Sequence, residues 1–301
     1  MTPRTYATPA AFKAALENRL RGTIGATDLT RRRQLLVFDR FLARVVGVMG
    51  EKVVLKGGLV LELRLDRART TQDVDLRVLG RPEAILDRLQ EAGRHDLGDY
   101  MRFELRPDTA HPDIRNEGMR YEGLRFRAEC RLAGKIYGQP FGVDVAFGDP
   151  ILGEPEILMA EDLLAFAGIP PPTLRVYPIE THIAEKLHAY TLPRARTNTR
   201  VKDLPDIALL AGAKVLDARR ARQALEQTFG FRDTHPLPGR VPGPPDAWTE
   251  PYASMATDDG LAWPTLDALT EVVQAFLDPL LAGSIAAGAS WQPELWAWEA
   301  T

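Results

Sequence analysis

Apolar residues recur at every third or fourth position at the start of the chain and then begin to alternate with polar ones. The first pattern is typical of an amphipathic helix, and it predicts helices over residues 9–22 and 30–49. The alternating pattern is typical of a half-buried strand. It predicts a set of strands over residues 73–78, 101–105, 121–132 and 135–147, with a short strand at 53–55 and a helix over 82–93.

The apolar pattern becomes mainly helical after Pro155. Helices are predicted in the segments PIETHIAEKLHAYTL and DLPDIALLAGA and over residues 217–228 and 265–281, with a proline-rich stretch between them at 234–248. We therefore expect an α+β protein with a mixed sheet in a core of residues 1–155. A mainly helical domain of residues 156–301 is expected to follow it.

Two aspartates stand in the first of the longer predicted strands. Asp73 and Asp75 are two residues apart in DVDLRV, so both side chains should point to one face while the valine and leucine between and after them face the core. Two carboxylates this close repel each other unless a cation lies between them, and hard divalent cations prefer oxygen ligands. Asp144, in FGVDVAF, is a third strand aspartate. The alternative interpretation is that all three are ordinary surface aspartates at strand ends.

A pair of glycines, Gly57 and Gly58, precedes this strand, and a short helix is predicted directly after them over residues 59–65. Backbone amides of a glycine turn at a helix N-terminus can bind phosphate, and glycine allows a ligand to approach closely. A glycine pair, a helix, two strand aspartates and a later strand aspartate resemble the layout of the polymerase-β-like nucleotidyltransferases. This resemblance implies a nucleoside triphosphate substrate and Mg²⁺ or Mn²⁺ as cofactor.

Three segments make the resemblance more specific. LKGGLVLELRL with the following TTQDVDL, then IETHIAEKLHAYT, then TRVKDLPDIALL are similar, in this order, to the AbiEii/AbiGii toxin family of nucleotidyltransferases, which includes the MenT toxins. The resemblance covers nearly the whole chain. It implies nucleotide transfer from a nucleoside triphosphate, in the MenT branch to the 3′ end of tRNA, which blocks translation. It also implies a cognate antitoxin.

The resemblance assigns roles to individual residues in the first half of the chain. It implies that Gly57 and Gly58 bind the nucleotide, and that catalysis and metal binding fall to three acids, Asp73, Asp75 and Asp144. Thr71 lies two residues before the first of these acids, and we place it as a nucleotide contact or a modification site. The alternative is a threonine that only begins the strand.

In the second half, the resemblance implies that Lys186 is a catalytic point charge on the β- and γ-phosphates. Without the resemblance, a surface lysine on a helix would be the simpler interpretation. Asp203 is implied as a catalytic residue that orients Lys186 or Arg200, and Arg200 itself as a nucleotide contact. Asp206 lies three residues further on the same helix face and is the weaker candidate.

Basic residues follow Lys186 without an intervening acid. Four of them predict an RNA-binding loop beside the site: Arg194, Arg196, Arg200 and Lys202. A second basic region is predicted on the helix over residues 30–49, from Arg31, Arg32, Arg33, Arg40 and Arg44. The alternative is that these arginines only solvate the surfaces that carry them.

Composition limits the remaining possibilities. The net charge of −3 means that a nucleic-acid surface must be local, and the single cysteine, Cys130, excludes an internal disulfide framework. No apolar run has transmembrane length and no signal-peptide pattern is present, so we expect a cytoplasmic protein with no membrane partner. Two other functions stay open: nucleotide transfer to a protein hydroxyl, and a non-catalytic module that binds nucleotide or sequesters a partner.

Overall fold

A mixed sheet of eight strands dominates the first half of the protein. The structure is a computed structural model, and it describes residues 5–22, 29–65, 71–80, 84–109, 123–148, 150–194, 198–286 and 288–300. The strands are β1 (Val53–Lys56), β2 (Asp73–Val78), β3 (Met101–Pro107), β4 (Gly123–Leu132), β5 (Lys135–Ile136), β6 (Phe141–Phe147), β7 (Glu156–Met159) and β8 (Thr173–Val176). Their order is β3-β4-β6-β2-β1-β8-β7, with β5 paired to β4.

The centre of the sheet is where parallel and antiparallel pairing meet. Strand β2 pairs antiparallel with β1 on one side and parallel with β6 on the other. Strand β1 also pairs parallel with β8, and β6 pairs antiparallel with β4. The prediction of an α+β fold with a mixed sheet is therefore confirmed.

Three helices cover one face of this sheet: α1 (Pro9–Gly22), α2 (Leu29–Met49) and α4 (Ile85–Arg94). Val74, Leu76 and Val78 of β2 are buried in the core between these helices and the sheet. Because side chains alternate along a strand, Asp73 and Asp75 lie on the opposite face. The predicted short helix is present as α3 (Gly58–Arg64) and begins one residue earlier than the expected range of 59–65.

The second half is mainly helical and has its own core. Its helices are α5 (Ile179–Thr191), α6 (Asp203–Ala211), α7 (Ala218–Arg232), α8 (Thr249–Asp258) and α9 (Leu266–Leu281). A small sheet of three strands adds to them: β9 (Leu216–Asp217), β10 (Ser290–Gln292) and β11 (Ala297–Glu299). Helix α8 and this small sheet were not predicted from the sequence. None of the helices in the described part of the chain is long and apolar enough to cross a membrane.

The expected division after residue 155 cuts through the large sheet. Strands β7 and β8 lie after residue 155 but belong to the same sheet. Strand β8 pairs with β1, where Leu55 is the register partner of Val176, and β7 pairs with β8. The first core also ends at Val176, and the second begins at Ile179, apart from Leu61 of α3. We therefore propose that the two parts of the chain divide after Val176.

The predicted basic region on α2 is not an exposed cationic surface. Arg40 and Arg44 are buried, and both donate hydrogen bonds to the buried carboxylate of Asp99. The three arginines at the start of α2 each pair with an acid, Arg31 with Glu62, Arg32 with Glu161 and Arg33 with Glu17. Arg40 and Arg44 are therefore not accessible to RNA, whereas an RNA contact by Arg31, Arg32 and Arg33 stays a prediction.

Asp39, next to this cluster, should make the fold sensitive to pH. Burial raises the pKa of Asp39 to about 7; Arg40 lowers it, and Asp99 and Glu161 raise it. Because the folded-state pKa exceeds the unfolded one, ionisation of Asp39 removes stability as the pH rises from about 4 through 7. We expect Asp39→Asn to be more stable than wild type at pH 8, by about 2–4 kcal/mol, and nearly equal to it at pH 4.

Urea denaturation at the two pH values measures this difference. Asp99→Asn is the matched control, because it removes the carboxylate that pairs with two buried arginines and should destabilise the protein at pH 8 by about 3–5 kcal/mol. An Asp39→Asn variant that is less stable than wild type at pH 8 would show that the ionised carboxylate stabilises the fold.

Candidate active site

Four charged residues form a row across the face of the large sheet opposite α1, α2 and α4. Lys56 of β1 is the register partner of Asp75, Asp75 is the partner of Asp144 on β6, and Asp144 is the partner of Arg125 on β4. Register partners on neighbouring strands point to the same face. Two acids therefore lie side by side at the centre of the sheet, with one cation at each end of the row.

Glycines beside β2, one directly after β1 and one on β6, leave room for the two acids of β2. A Cβ atom on Gly57 would lie 1.9 Å from Oδ2 of Asp75, and one on Gly142 would lie 2.4 Å from Oδ1 of Asp73. Gly57 also has φ +71°, a conformation that favours glycine. The predicted glycine turn is thus packed directly against the predicted carboxylate, and Gly58 begins the helix that follows.

The electrostatic surroundings disfavour a charged Asp75 in the absence of further cations. The pKa of Asp75 is raised to about 6, mainly by burial and also by the carboxylates of Asp144 and Asp73, against the opposing effect of Lys56 and Lys186. A carboxylate in this situation gains stability from an added positive charge. This is the electrostatic behaviour expected of a cation ligand.

The side chains at this position suit a hard divalent cation, because carboxylates on two adjacent strands lie side by side. Gly57 and Gly142 leave space beside these carboxylates. In the described residues, however, no three carboxylate, histidine or cysteine side chains stand close enough together to hold one ion. Asp144 instead accepts two hydrogen bonds from Arg125, at 2.7 Å from Nε and 2.6 Å from Nη2. Asp73, Asp75 and Asp144 thus share one face without forming a finished three-ligand cluster.

Lys186 reaches this region from α5, where two acids of α6 hold it. Its Nζ lies 2.7 Å from Oδ2 of Asp206 and 3.5 Å from Oδ1 of Asp203. Asp203 also accepts a hydrogen bond from Nη2 of Arg200, at 3.1 Å. Sequence reasoning favoured Asp203 as the partner of Lys186, but Asp206, one turn further along α6, makes the closer contact.

Two further residues near the site were missed by the sequence interpretation. Lys56 lies 3.1 Å from Oε1 of Glu185, which also accepts a hydrogen bond from the buried Arg232. His182 lies one turn before Lys186 and is fully buried, and neither of its ring nitrogens has a hydrogen-bond partner in the described part of the chain. Burial holds the pKa of His182 well below its usual range, and Lys186 lowers it further. The position of Lys56 directly before the glycine pair could have identified it as a site residue from the sequence.

Thr71 lies just before β2 and is buried. Its backbone N–H donates to Oε2 of Glu62, and its hydroxyl donates to the carbonyl oxygen of Asp73. Glu62 in turn pairs with Arg31. These contacts fix the start of β2, and a contact between Thr71 and a nucleotide stays a prediction.

The predicted RNA-binding residues differ in how they are placed. Arg196 lies outside the described residues. Arg200 is held by Asp203 and is close enough for Asp75 to influence its pKa, which Asp203 raises against the effect of burial. Arg194 donates to the carbonyl of Ala189, and Lys202 is exposed. Arg200 therefore lies among the acids of the site, and Lys202 is the most accessible of the three that are described.

Comparisons with known proteins identify the family and the fold. The family model described as nucleotidyl transferase AbiEii toxin, type IV toxin–antitoxin system, matches residues 40–292. No curated protein matches the sequence. Among solved structures, the fold is similar to MenT4, a nucleotidyltransferase toxin from Mycobacterium tuberculosis H37Rv, with 17% identity, a TM-score of 0.53, and coverage of 94% of this chain and 92% of that one. JHP933 from Helicobacter pylori is more distant, with 16% identity, a TM-score of 0.44, and coverage of 81% and 94%.

Proposed function

The chain belongs to the AbiEii family of nucleotidyltransferase toxins, and from this premise we propose that it transfers a nucleotide from a nucleoside triphosphate to the 3′ end of tRNA. The family is that of the toxin in a type IV toxin–antitoxin system, so a cognate antitoxin is implied. Blocking the end of tRNA that accepts the amino acid would halt translation. Such a substrate also places the protein in the cytoplasm.

One observation carries the proposal for the reaction. Asp75 and Asp144 are register partners on adjacent strands, directly beside the Gly57 turn, and Lys186 influences the pKa of Asp75 from the neighbouring helix. Acids, a phosphate-binding turn and a lysine are the groups that transfer from a triphosphate requires. A degenerate, purely binding member of the family would not need the two acids at the centre of the sheet.

We assign the following parts to the residues of this chain. Mg²⁺ or Mn²⁺ held by Asp73, Asp75 and Asp144 would supply the positive charge that a triphosphate and its leaving group need. The turn at Gly57 and Gly58 binds phosphate oxygens through backbone amides, together with Arg200. The side chains of Lys186, Asp144 and Asp203 then act during the transfer itself.

In that transfer, the hydroxyl oxygen of the acceptor forms a bond to the α-phosphorus, and the bond from the α-phosphorus to the pyrophosphate oxygen breaks. Asp144 accepts the proton of the hydroxyl, and Lys186 stabilises the charge that develops on the departing pyrophosphate. Asp203 keeps Arg200 and Lys186 in position, and Asp206 assists with Lys186. Pyrophosphate leaves, and the acceptor is one nucleotide longer.

Incubation of the purified protein with each nucleoside triphosphate labelled at the α-phosphorus, total RNA and Mg²⁺ tests the proposal. We expect label in the tRNA fraction with one or more of the four nucleotides. Label in protein would instead support transfer to a protein hydroxyl. Label in neither fraction, with nucleotide binding intact, would indicate a non-catalytic module.

The half-buried Arg194, after α5, and the exposed Lys202, before α6, should contribute to RNA affinity. Replacing both Arg194 and Lys202 by glutamine should weaken tRNA binding and flatten its dependence on salt, by about 0.7 units of logarithmic slope for each lost phosphate contact. Fluorescence anisotropy with labelled tRNA over a range of salt concentrations measures the slope. Arg88→Gln with Arg94→Gln, on α4 and on the other face of the sheet, gives a control with the same change in charge. An equal effect of both pairs would place the RNA elsewhere.

A further inference from the structure

Arg125 is a charged residue of the site to which neither the sequence nor the proposed reaction assigns a role. It lies on β4 at the end of the row of register partners, and both oxygens of Asp144 accept hydrogen bonds from it. The bidentate pairing raises the pKa of the Arg125 guanidinium, and the nearby Asp73 and Asp108 add to that effect. Arg125 therefore serves as the counter-ion of Asp144.

This pairing conflicts with the proposed task of Asp144. A carboxylate that accepts two parallel hydrogen bonds from a guanidinium has its oxygens directed at that guanidinium. In the described residues no three ligating side chains come close enough to hold one ion, although Asp75 and Asp144 are direct neighbours in the sheet. Asp144 must turn away from Arg125 before it can join Asp75 at a common cation.

We propose that Arg125 changes partners: it neutralises Asp144 until a divalent cation binds there, and it then binds a phosphate group of the substrate. The inference rests on the proposed function, since it assumes that Asp144 is a metal ligand. Arg125 is then a substrate-binding residue, and in the unliganded protein it pairs with Asp144.

The chemistry of Arg125 suits both partners. A guanidinium offers two parallel N–H donors, which match the oxygens of a carboxylate and of a phosphate equally well. The Arg125 side chain is 38% exposed, whereas that of Asp144 is 15% exposed, so Arg125 can swing toward a ligand without crossing the core. The opposite end of the row is different, because Lys56 there is mostly buried and is held by Glu185.

The test measures two affinities of Arg125→Gln that should change in opposite directions. Titration with Mn²⁺ alone, followed by electron paramagnetic resonance of the free ion, should show a Kd about fivefold lower than wild type, because a partly exposed ion pair no longer competes for Asp144. In saturating Mn²⁺, the affinity for a phosphate ligand should fall by about tenfold, as expected for a lost charge-assisted contact.

Inorganic triphosphate and tRNA serve as separate phosphate probes in the second measurement, by isothermal titration calorimetry. A loss confined to triphosphate assigns the contact to the nucleotide, and a loss confined to tRNA assigns it to the acceptor. Arg127→Gln is the matched control: it makes the same change in charge two residues along the same strand face, where the register partner is Gly142 and not Asp144. It should alter both affinities by less than about twofold.

The remaining outcomes each overturn the exchange of partners. An unchanged Mn²⁺ affinity in Arg125→Gln, while Asp144→Asn binds Mn²⁺ more weakly than wild type, would refute it and leave the metal site of the proposed function intact. Equal Mn²⁺ binding by wild type and Asp144→Asn would refute it together with the metal assignment of Asp144. Tighter Mn²⁺ binding with unchanged affinity for both phosphate probes would reduce Arg125 to a structural counter-ion.

Discussion

Replacing Asp75 by asparagine should reduce nucleotide transfer by about 1,000-fold or more while the protein stays folded. Asp75 stands at the centre of the charged row, between Lys56 and Asp144, and against the Gly57 turn. A neutral amide cannot balance the charge of a cation, although it fills the same space. Asp73→Asn should have a similar effect, because its carboxylate lies on the same face two residues earlier.

The same substitution should not destabilise the fold at neutral pH. The pKa of Asp75 is raised, so ionisation of this carboxylate removes stability as the pH rises from about 4 through 6. Asparagine does not ionise, and thermal denaturation at pH 7 should give a Tm equal to or above that of wild type. Glu104→Gln, on the exposed edge strand β3, is the control for a change from acid to amide. If Asp75→Asn kept wild-type transfer, Asp75 would not be part of the catalytic site.

Lys186→Ala is expected to slow single-turnover transfer at saturating nucleotide by about 100-fold or more, because it removes a cation that stabilises the charge on the departing pyrophosphate. Lys186→Arg should restore only part of this rate, since a planar guanidinium does not replace a compact ammonium group. Lys214→Ala, which removes a lysine paired with Glu156 on the surface, should leave the rate unchanged.

The acid that positions Lys186 can be identified by combining substitutions. Asp206→Asn should slow transfer, and the double variant with Lys186→Ala should be no slower than Lys186→Ala alone, because residues that act as a unit are not additive. Asp203→Asn should add to the loss from Lys186→Ala in part, since Asp203 also holds Arg200. Fully multiplicative losses for Asp206 and Lys186 would mean that the 2.7 Å contact between them has no part in the reaction.

Local periodicity was enough to predict the parts of the site that lie within one element. The spacing of Asp73 and Asp75 in an alternating strand requires that both point to one face, and the structure places them so. The glycine turn and the helix after it could be predicted for the same reason. These features depend on residues only a few positions apart.

Contacts between elements were beyond that reasoning. The pairing of Arg125 with Asp144 depends on the register of β4 against β6, which no local pattern specifies. The choice between Asp203 and Asp206 depends on how α5 and α6 pack. Strands β7 and β8 have only four residues each, too few for a clear alternating pattern. On β7 the apolar Ile157 and Met159 are exposed, so the pattern of apolar residues did not predict this strand.

The most direct test of the central claim is to follow the two ends of the triphosphate separately. Wild-type protein is incubated with tRNA, Mg²⁺ and a nucleoside triphosphate labelled at either the α- or the γ-phosphorus, and the products are separated on a denaturing gel and by thin-layer chromatography. Nucleotide transfer predicts that the α-label moves into tRNA and the γ-label into pyrophosphate, and that both signals disappear in Asp75→Asn. Transfer of the γ-label to the acceptor, or α-label incorporation that persists in Asp75→Asn, would contradict the account.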